Sequence, residues 1–118
     1  MSHYRDTAPL HAALVGHSFI SRLRHYMRSH PRASNLNLNI ENYMITVHGR
    51  GGLRISQLAR SSDLLEFSAT PDVCFLQIGE NDISSRDDAH IVRDILSLAS
   101  YMHEGLGIRS VIIGQLFR

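Results

Sequence analysis

The stretch that decides the fold is Val73-Cys74-Phe75-Leu76-Gln77-Ile78-Gly79, which runs directly into Glu80-Asn81-Asp82. Apart from Gln77 the run is apolar, and Thr70-Pro71 breaks the segment before it. A short apolar run with such boundaries is typical of a strand that is buried on both faces, as in a parallel sheet covered by helices. The stretch therefore predicts a buried parallel strand with a polar loop at its carboxyl end.

Three further strands are predicted outward from this one, each an apolar segment that meets glycine at its end. They cover residues 11–16, 43–48 and 111–114. The second of them is rich in β-branched and aromatic residues and feeds the glycine turn Gly49-Arg50-Gly51-Gly52. Residues 35–39, where asparagine alternates with leucine, are interpreted as a loop.

Helical patterns separate the predicted strands. The first begins at Ser18 and stops before Pro31, and the second begins near Leu53. A third, long helix follows Ser85 and Asp88, which have the spacing of a capping box. Its predicted apolar stripe is Val92, Ile95, Leu96, Ala99 and Met102. The order β-α-β-α-β-α-β predicts a parallel sheet with helices on both faces.

The length of 118 residues is enough for one hydrophobic core. We predict an N-terminal tail at residues 1–10 and one domain at residues 11–118. No apolar stretch has the roughly 18 to 20 residues of a membrane span, and the N-terminus lacks the apolar region of a secretion signal. Because Cys74 is the only cysteine, no internal disulfide can form, and we predict a cytoplasmic protein without membrane contact.

The charged residues exclude several kinds of chemistry. All 12 basic residues are arginine, against 11 acids, for a net charge of +1. Without lysine the chain has neither a P-loop nor a Schiff-base amine. The eight histidines show no i, i+4 pair typical of a helical zinc site, so we predict neither a metal nor a cofactor.

Chemically capable residues follow three consecutive predicted strands. Ser18 lies where the first strand turns into a helix, a position that suits a nucleophile, although an ordinary helix cap is the commoner role of a serine there. Gly51-Gly52 follows the second strand, where bare N–H groups would bind an oxyanion or form a tight turn. Asn81 follows the third strand, as an oxyanion donor or a turn-forming residue. Because parallel strands end at one edge of a sheet, the three positions are expected to meet there.

The same residues resemble a known enzyme family. Leu14-Val15-Gly16-His17-Ser18, Gly51-Gly52 and Ile78-Gly79-Glu80-Asn81-Asp82 are similar to the first three sequence blocks of the SGNH (GDSL-like) hydrolases. The resemblance implies a flavodoxin-like three-layer α/β/α sandwich and hydrolysis of a small ester or acyl substrate. It also implies that Ser18 is the nucleophile. The oxyanion donors would be the N–H groups of Ser18 and Gly52 and the side chain of Asn81.

Two departures from the family pattern concern the same site. His17 stands where the family has an aspartate, immediately before the nucleophile. The family's C-terminal Asp-x-x-His, which supplies the general base, has no counterpart after the fourth strand, and the last strand and helix are missing. Asp87-Asp88-Ala89-His90 has that spacing but opens the third helix, where acids are expected for capping. His17 and His48 are candidates for a surrogate base. For each of them, however, a structural or solvated histidine is the favoured interpretation.

Two other functions remain open beside the serine esterase. A catalytically inactive SGNH-like module would bind a ligand or partner with the same edge of the sheet. A nucleic-acid accessory role would use the basic residues of the first helix and its exit, but a solvated helix face is favoured because no aromatic residues interleave. We therefore predict no nucleic-acid partner. The apolar edge strand Val111-Ile112-Ile113 predicts self-association.

Overall fold

The protein folds around one four-stranded parallel sheet, in a computed structural model that describes residues 8–61 and 63–116. The spatial order of the strands is β2-β1-β3-β4. The strands are β1 (Leu10–Gly16), β2 (Tyr43–Gly49), β3 (Val73–Gln77) and β4 (Ser110–Ile113). The predicted α/β class and the all-parallel sheet are confirmed.

The helices occupy the intervals that the sequence predicts for them. They are α1 (Ser18–Ser29), α2 (Ile55–Ala59) and α3 (Asp88–Ser100), and α3 continues into a π-helical turn at Tyr101–Gly105. Single 3-10 turns lie at Pro31–Ala33 and Glu80–Asp82. Residues 35–39 form a loop, as predicted. No helix within the described residues combines the length and apolar character needed to cross a membrane.

One face of the sheet packs against α2 and α3 and forms the main core. Ala13 and Val15 of β1 and Cys74 and Leu76 of β3 point to this face and are fully buried. Burial raises the pKa of the Cys74 thiol to about 12, so the side chain is a protonated apolar group at neutral pH.

The other face of the sheet is covered by α1, which packs mainly against β2 and β1. Ile20 and Met27 are the buried residues of this helix. At Gly49 a Cβ atom would lie 2.5 Å from the backbone nitrogen of Ser21, so glycine allows α1 to lie directly on β2. Helices on both faces give the three layers of the predicted sandwich.

The apolar stripe predicted for α3 is partly wrong. Ile91, Ile95, Leu98 and Met102 are buried, whereas Val92 is 51% exposed and Leu96 is 54% exposed. Adjacent apolar pairs along this helix allow two overlapping stripes with the same period. Packing against the sheet and α2 selects the stripe that begins at Ile91.

The boundaries of two elements also differ from the prediction. Asp87 rather than Ser85 caps α3, because its carboxylate accepts a hydrogen bond from the backbone N–H of His90 at 2.9 Å. Ser85 lies in the preceding turn, where its N–H donates to the carbonyl of Asp82. β1 begins at Leu10, inside the predicted tail, of which residues 1–7 lie outside the described part of the chain.

Candidate functional site

The three loops that carry the predicted site leave the sheet side by side. Gly16 is in register with Gly49 on one side and with Gln77 on the other, so β1, β2 and β3 end at the same level. The backbone N–H of His17 donates to the carbonyl of Gln77 at 3.2 Å, and that of Arg50 donates to the carbonyl of Gly16 at 3.1 Å. These bonds hold the first residues of the loops together at the carboxyl edge of the sheet.

Ser18 is the first residue of α1, directly above the end of β1. It is half-buried, and its Oγ makes no hydrogen bond with the described residues. The first N–H groups of a helix have no partners within the helix and form its positive end. No acidic residue lies in the first turn of α1 to neutralise that end. Ser18 therefore combines an uncommitted hydroxyl with a local environment that favours negative charge.

His17 is a buried cap of α1 rather than a solvated side chain. Its Nδ1 accepts a hydrogen bond from the backbone N–H of Phe19 at 3.2 Å, and its Nε2 lies 2.6 Å from Oε1 of Glu80. An imidazole that accepts through Nδ1 is neutral and carries its proton on Nε2, so it donates to the carboxylate. Both ring nitrogens are engaged. In this arrangement His17 has no free lone pair to take a proton from Ser18.

Glu80 and Gln77 extend this contact into a buried polar chain that the sequence analysis did not single out. Gln77 is 2% exposed. Its Nε2 donates to Oε2 of Glu80 at 2.6 Å and to the carbonyl of Gln115 at 2.9 Å. These hydrogen bonds thus join the loops after β1 and β3 to the segment after β4. The signals in the sequence were a lone amide in an apolar strand and a histidine immediately before Ser18.

Asn81 and Asp82 bind the loop after β3 to the loop after β2. The side-chain amide of Asn81 donates to the carbonyl of Leu53 at 3.0 Å. The backbone N–H of Ile55 donates to Oδ2 of Asp82, which is 2% exposed, at 3.1 Å. Asn81 is therefore held against the residue that follows Gly52, with one amide hydrogen used and one remaining.

Gly52 has a left-handed backbone with φ of +71°. Glycine adopts this conformation without the strain that an L side chain brings. Its N–H makes no hydrogen bond with the described residues. The fold thus brings Ser18, Gly52 and Asn81 to one edge, each with an N–H group that has no fixed partner.

The remaining candidate histidines lie elsewhere. Nε2 of His48 is 3.0 Å from Oγ1 of Thr46, and its ring packs roughly perpendicular to that of Phe67, with 5.0 Å between the ring centroids. Burial lowers the pKa of His48, and the nearby His11 and Arg24 lower it further. His90 pairs with Asp87 through Nδ1 at 2.6 Å in the exposed first turn of α3. His48 therefore lies on the face of the sheet under α2 and α3, and His90 belongs to the cap of α3.

No metal site accompanies this arrangement in the part of the chain that the structure describes. Groups of three or more His, Cys, Asp or Glu side chains that could hold an ion are absent from residues 8–61 and 63–116.

Comparison with known proteins gives a structural likeness. The fold is similar to the crystal structure of LAE5, an alpha/beta hydrolase enzyme from the metagenome of Lake Arreo in Spain, with a TM-score of 0.58 and 13% sequence identity. The match covers 91% of this chain and 60% of LAE5, so the chain spans about 60% of the length of that protein. No family model and no curated protein matches the chain. At this identity the likeness shows the α/β fold.

Proposed function

We propose that the protein is a serine acyl hydrolase of the SGNH type, which forms an acyl-enzyme at Ser18 with a small ester. The observation that supports the proposal is that β1, β2 and β3 end at the same level, so that Ser18, Gly52 and Asn81 all follow strand ends at one edge of the sheet. The hydrogen bond from Asn81 to the carbonyl of Leu53 ties two of the three loops together. A hydroxyl nucleophile beside N–H donors is a combination that supports acyl transfer, because the donors stabilise the oxyanion that forms.

The reaction begins when Oγ of Ser18 bonds to the carbonyl carbon of the ester. The electron pair of the C=O bond moves to its oxygen, where the N–H groups of Ser18 and Gly52 and the amide of Asn81 stabilise the negative charge. Collapse of this intermediate breaks the bond to the alcohol, which takes a proton from water. Water then attacks the acyl-Ser18 ester, which releases the carboxylic acid and restores the hydroxyl.

The proton of Ser18 passes to solvent hydroxide in this proposal. Both nitrogens of His17 are engaged, so the adjacent histidine does not serve as the base. Catalysis then depends on the oxyanion donors and on substrate binding. In serine proteases that lack their triad these contributions leave roughly 10³- to 10⁴-fold acceleration over water. We therefore expect slow turnover, best with aryl esters, whose leaving group needs no proton.

The nucleophile is tested by acetylation with p-nitrophenyl acetate, followed by intact mass and peptide mapping. We expect one acetyl group on Ser18, none after Ser18→Ala, and the wild-type amount after Ser100→Ala, which removes an exposed hydroxyl from α3. Equal acetylation of the Ser18→Ala variant would refute the proposal.

The proton step is tested by the pH dependence of the acetylation rate. Transfer to hydroxide predicts a tenfold increase for each pH unit from 7 to 9. A rate that levels off above about pH 7 would show a histidine base and overturn this step.

The oxyanion donors are tested with a matched pair of glycine variants and with Asn81→Ala. Gly52→Ala places a side chain on a left-handed backbone, whereas Gly51→Ala meets open space and an ordinary φ. We expect Gly51→Ala to retain the wild-type acetylation rate and Gly52→Ala to lose activity. Asn81→Ala should reduce the rate by roughly 10²- to 10³-fold, the effect of removing one oxyanion donor. Urea unfolding of each variant separates a lost donor from a lost fold.

A second candidate function is a non-catalytic module that binds an acyl or carboxylate group with the same edge. The engagement of both ring nitrogens of His17 favours it, because an unactivated hydroxyl near pH 7 is a poor nucleophile. This candidate predicts binding of acetate or an ester without Ser18-dependent turnover. Detectable release of p-nitrophenol that disappears in Ser18→Ala would exclude it.

A further inference from the structure

A groove of about 510 Å³ lies on the far side of the sheet from the main core, against the outer edge of β2. Its floor and walls come from the second half of α1, the turn after it and the edge strand. The lining residues that matter here are Arg24, Met27, Arg28, Pro31, Ile45 and Val47. The groove therefore combines an apolar floor, two cationic side chains and a strand edge.

The backbone of β2 offers hydrogen bonds along this groove. β2 pairs with β1 on one side only, so alternate residues direct their N–H and carbonyl groups outward. The side chain of Asn35 occupies the first outward groups: its Oδ1 accepts from the N–H of Ile45 at 2.9 Å, and its Nδ2 donates to the carbonyl of Tyr43 at 2.9 Å. An amide group thus already binds this edge as a neighbouring strand would.

The next outward groups along β2 have no such partner. They are the carbonyl of Ile45 and the N–H and carbonyl of Val47, and none of the three bonds to another described residue. These two residues also line the groove. An extended peptide placed in the groove would continue the pattern that Asn35 begins.

The charged side chains that line the groove are both positive. Residues 8–40 contain four arginines and no aspartate or glutamate. Arg24 and Arg28, one helical turn apart on α1, form no ion pair with the described residues. Carboxylates of an incoming chain would neutralise both.

We propose that this groove binds an extended acidic peptide segment of a partner protein by strand addition to β2. Side chains of a strand alternate between its two sides, so acidic residues at every second position would all lie on the α1 side, beside Arg24 and Arg28. The outward groups of Ile45 and Val47 bind the peptide backbone. Phosphate groups of a nucleic acid would use the arginines but not the strand edge.

The test uses a fluorescent seven-residue peptide of alternating valine and glutamate, blocked at both ends, and measures binding to the full chain by anisotropy. We expect one-to-one binding that weakens at least tenfold in the Arg24→Gln, Arg28→Gln double variant. The matched control, Arg93→Gln with Arg109→Gln, removes the same charge from exposed positions outside the groove and should bind as the wild type does.

Strand addition is tested separately from charge. Val47→Pro removes one outward N–H, which an edge strand tolerates, and should weaken binding at least tenfold. Because that variant changes the protein, a peptide N-methylated at alternate residues provides the same test on the wild type. Unchanged affinity for the methylated peptide would overturn the proposal. So would absence of binding by the wild type, or tighter binding of a 12-nucleotide single strand that depends on Arg24 and Arg28.

Discussion

The two faces of the sheet are made by neighbouring residues of the same strands, yet they are packed differently. Cys74 and Leu76 point toward α2 and α3 and are fully buried. Phe75, between them, points to the α1 side and is only partly buried, and Ile112 beside it on β4 is 52% exposed. Alternation along a strand assigns side chains to two faces, but their burial depends on whether a helix lies above them. α1 packs mainly on β2 and β1, and the α1 side of β4 is the more exposed.

The largest effect should come from shortening a side chain on the packed face. We expect Leu76→Ala to lower the free energy of unfolding by about 2 to 5 kcal/mol, because it leaves a cavity in the core. Ile112→Ala, on the open side, should cost much less, near the range of about 0.5 kcal/mol seen for surface changes. Urea denaturation measures both. Equal losses would show that the two faces are packed alike.

The edge strand β4 also carries the expected self-association. Ile112 and Ile113 are 52% and 40% exposed on the edge strand β4, and an apolar strand edge tends to pair with another chain. We expect the wild-type chain to self-associate and Ile112→Lys to weaken the association at least tenfold in sedimentation velocity. Ile40→Lys, at a 73% exposed loop position, is the control and should associate as the wild type does. A monomeric wild type at high concentration would contradict this expectation.

A smaller effect is expected at the start of the helix that covers the packed face. The carboxylate of Asp87 accepts from the N–H of His90, and this hydrogen bond lowers the pKa of Asp87. Asp87→Ala should lower the midpoint of thermal unfolding, because it removes the side chain that caps the helix. Ser85→Ala tests the cap that the sequence suggested and should change stability by a few tenths of a kcal/mol at most. A larger loss of thermal stability in Ser85→Ala than in Asp87→Ala would instead identify Ser85 as the cap, as the sequence predicts.

The smallest effect is a pH dependence from two histidines on the packed face. Nε2 of His11 and Nε2 of His48 lie 2.8 Å and 3.0 Å from Oγ1 of Thr46, and burial lowers the pKa of both rings below 6.5. The unfolded chain then binds more protons below pH 6.5. The contribution of these two histidines to the free energy of unfolding is therefore fully present above pH 6.5. It is lost as the solution is acidified toward pH 5.

The variant His48→Gln should flatten this pH dependence in urea titrations. His25→Gln changes an exposed histidine of α1 and serves as the control. A slope that is the same in His48→Gln and the wild type would assign the effect to other groups.

Much of the fold was predictable because its signals are local. The apolar run at residues 73–79 is short and follows Thr70-Pro71, which is typical of a buried strand, and Pro31 stops the helical pattern of α1. The buried stripe of α3 was not predictable. Ile91 and Val92 are adjacent and both apolar, so the sequence allows either to face the core, and only the position of the helix over the sheet decides between them.

The candidate site divides in the same way. Ser18, Gly52 and Asn81 were predictable because each follows a strand and parallel strands end at one edge. The buried contacts from His17 through Glu80 to Gln77 were not predictable, because the one between His17 and Glu80 joins residues 63 positions apart in the sequence. Nor did the sequence indicate that the amide of Asn81 would already hold the carbonyl of Leu53.

The sequence by itself determined the order of strands and helices, the absence of lysine chemistry and the residues that stand at each strand end. These follow from local periodicity, turn residues and composition. The tertiary structure alone decided which apolar face each helix buries, which histidine nitrogens are free, and where the strand edges stay open. The physical reason is that burial and hydrogen bonding depend on which distant parts of the chain come close in the folded protein. No single segment of the sequence encodes those contacts.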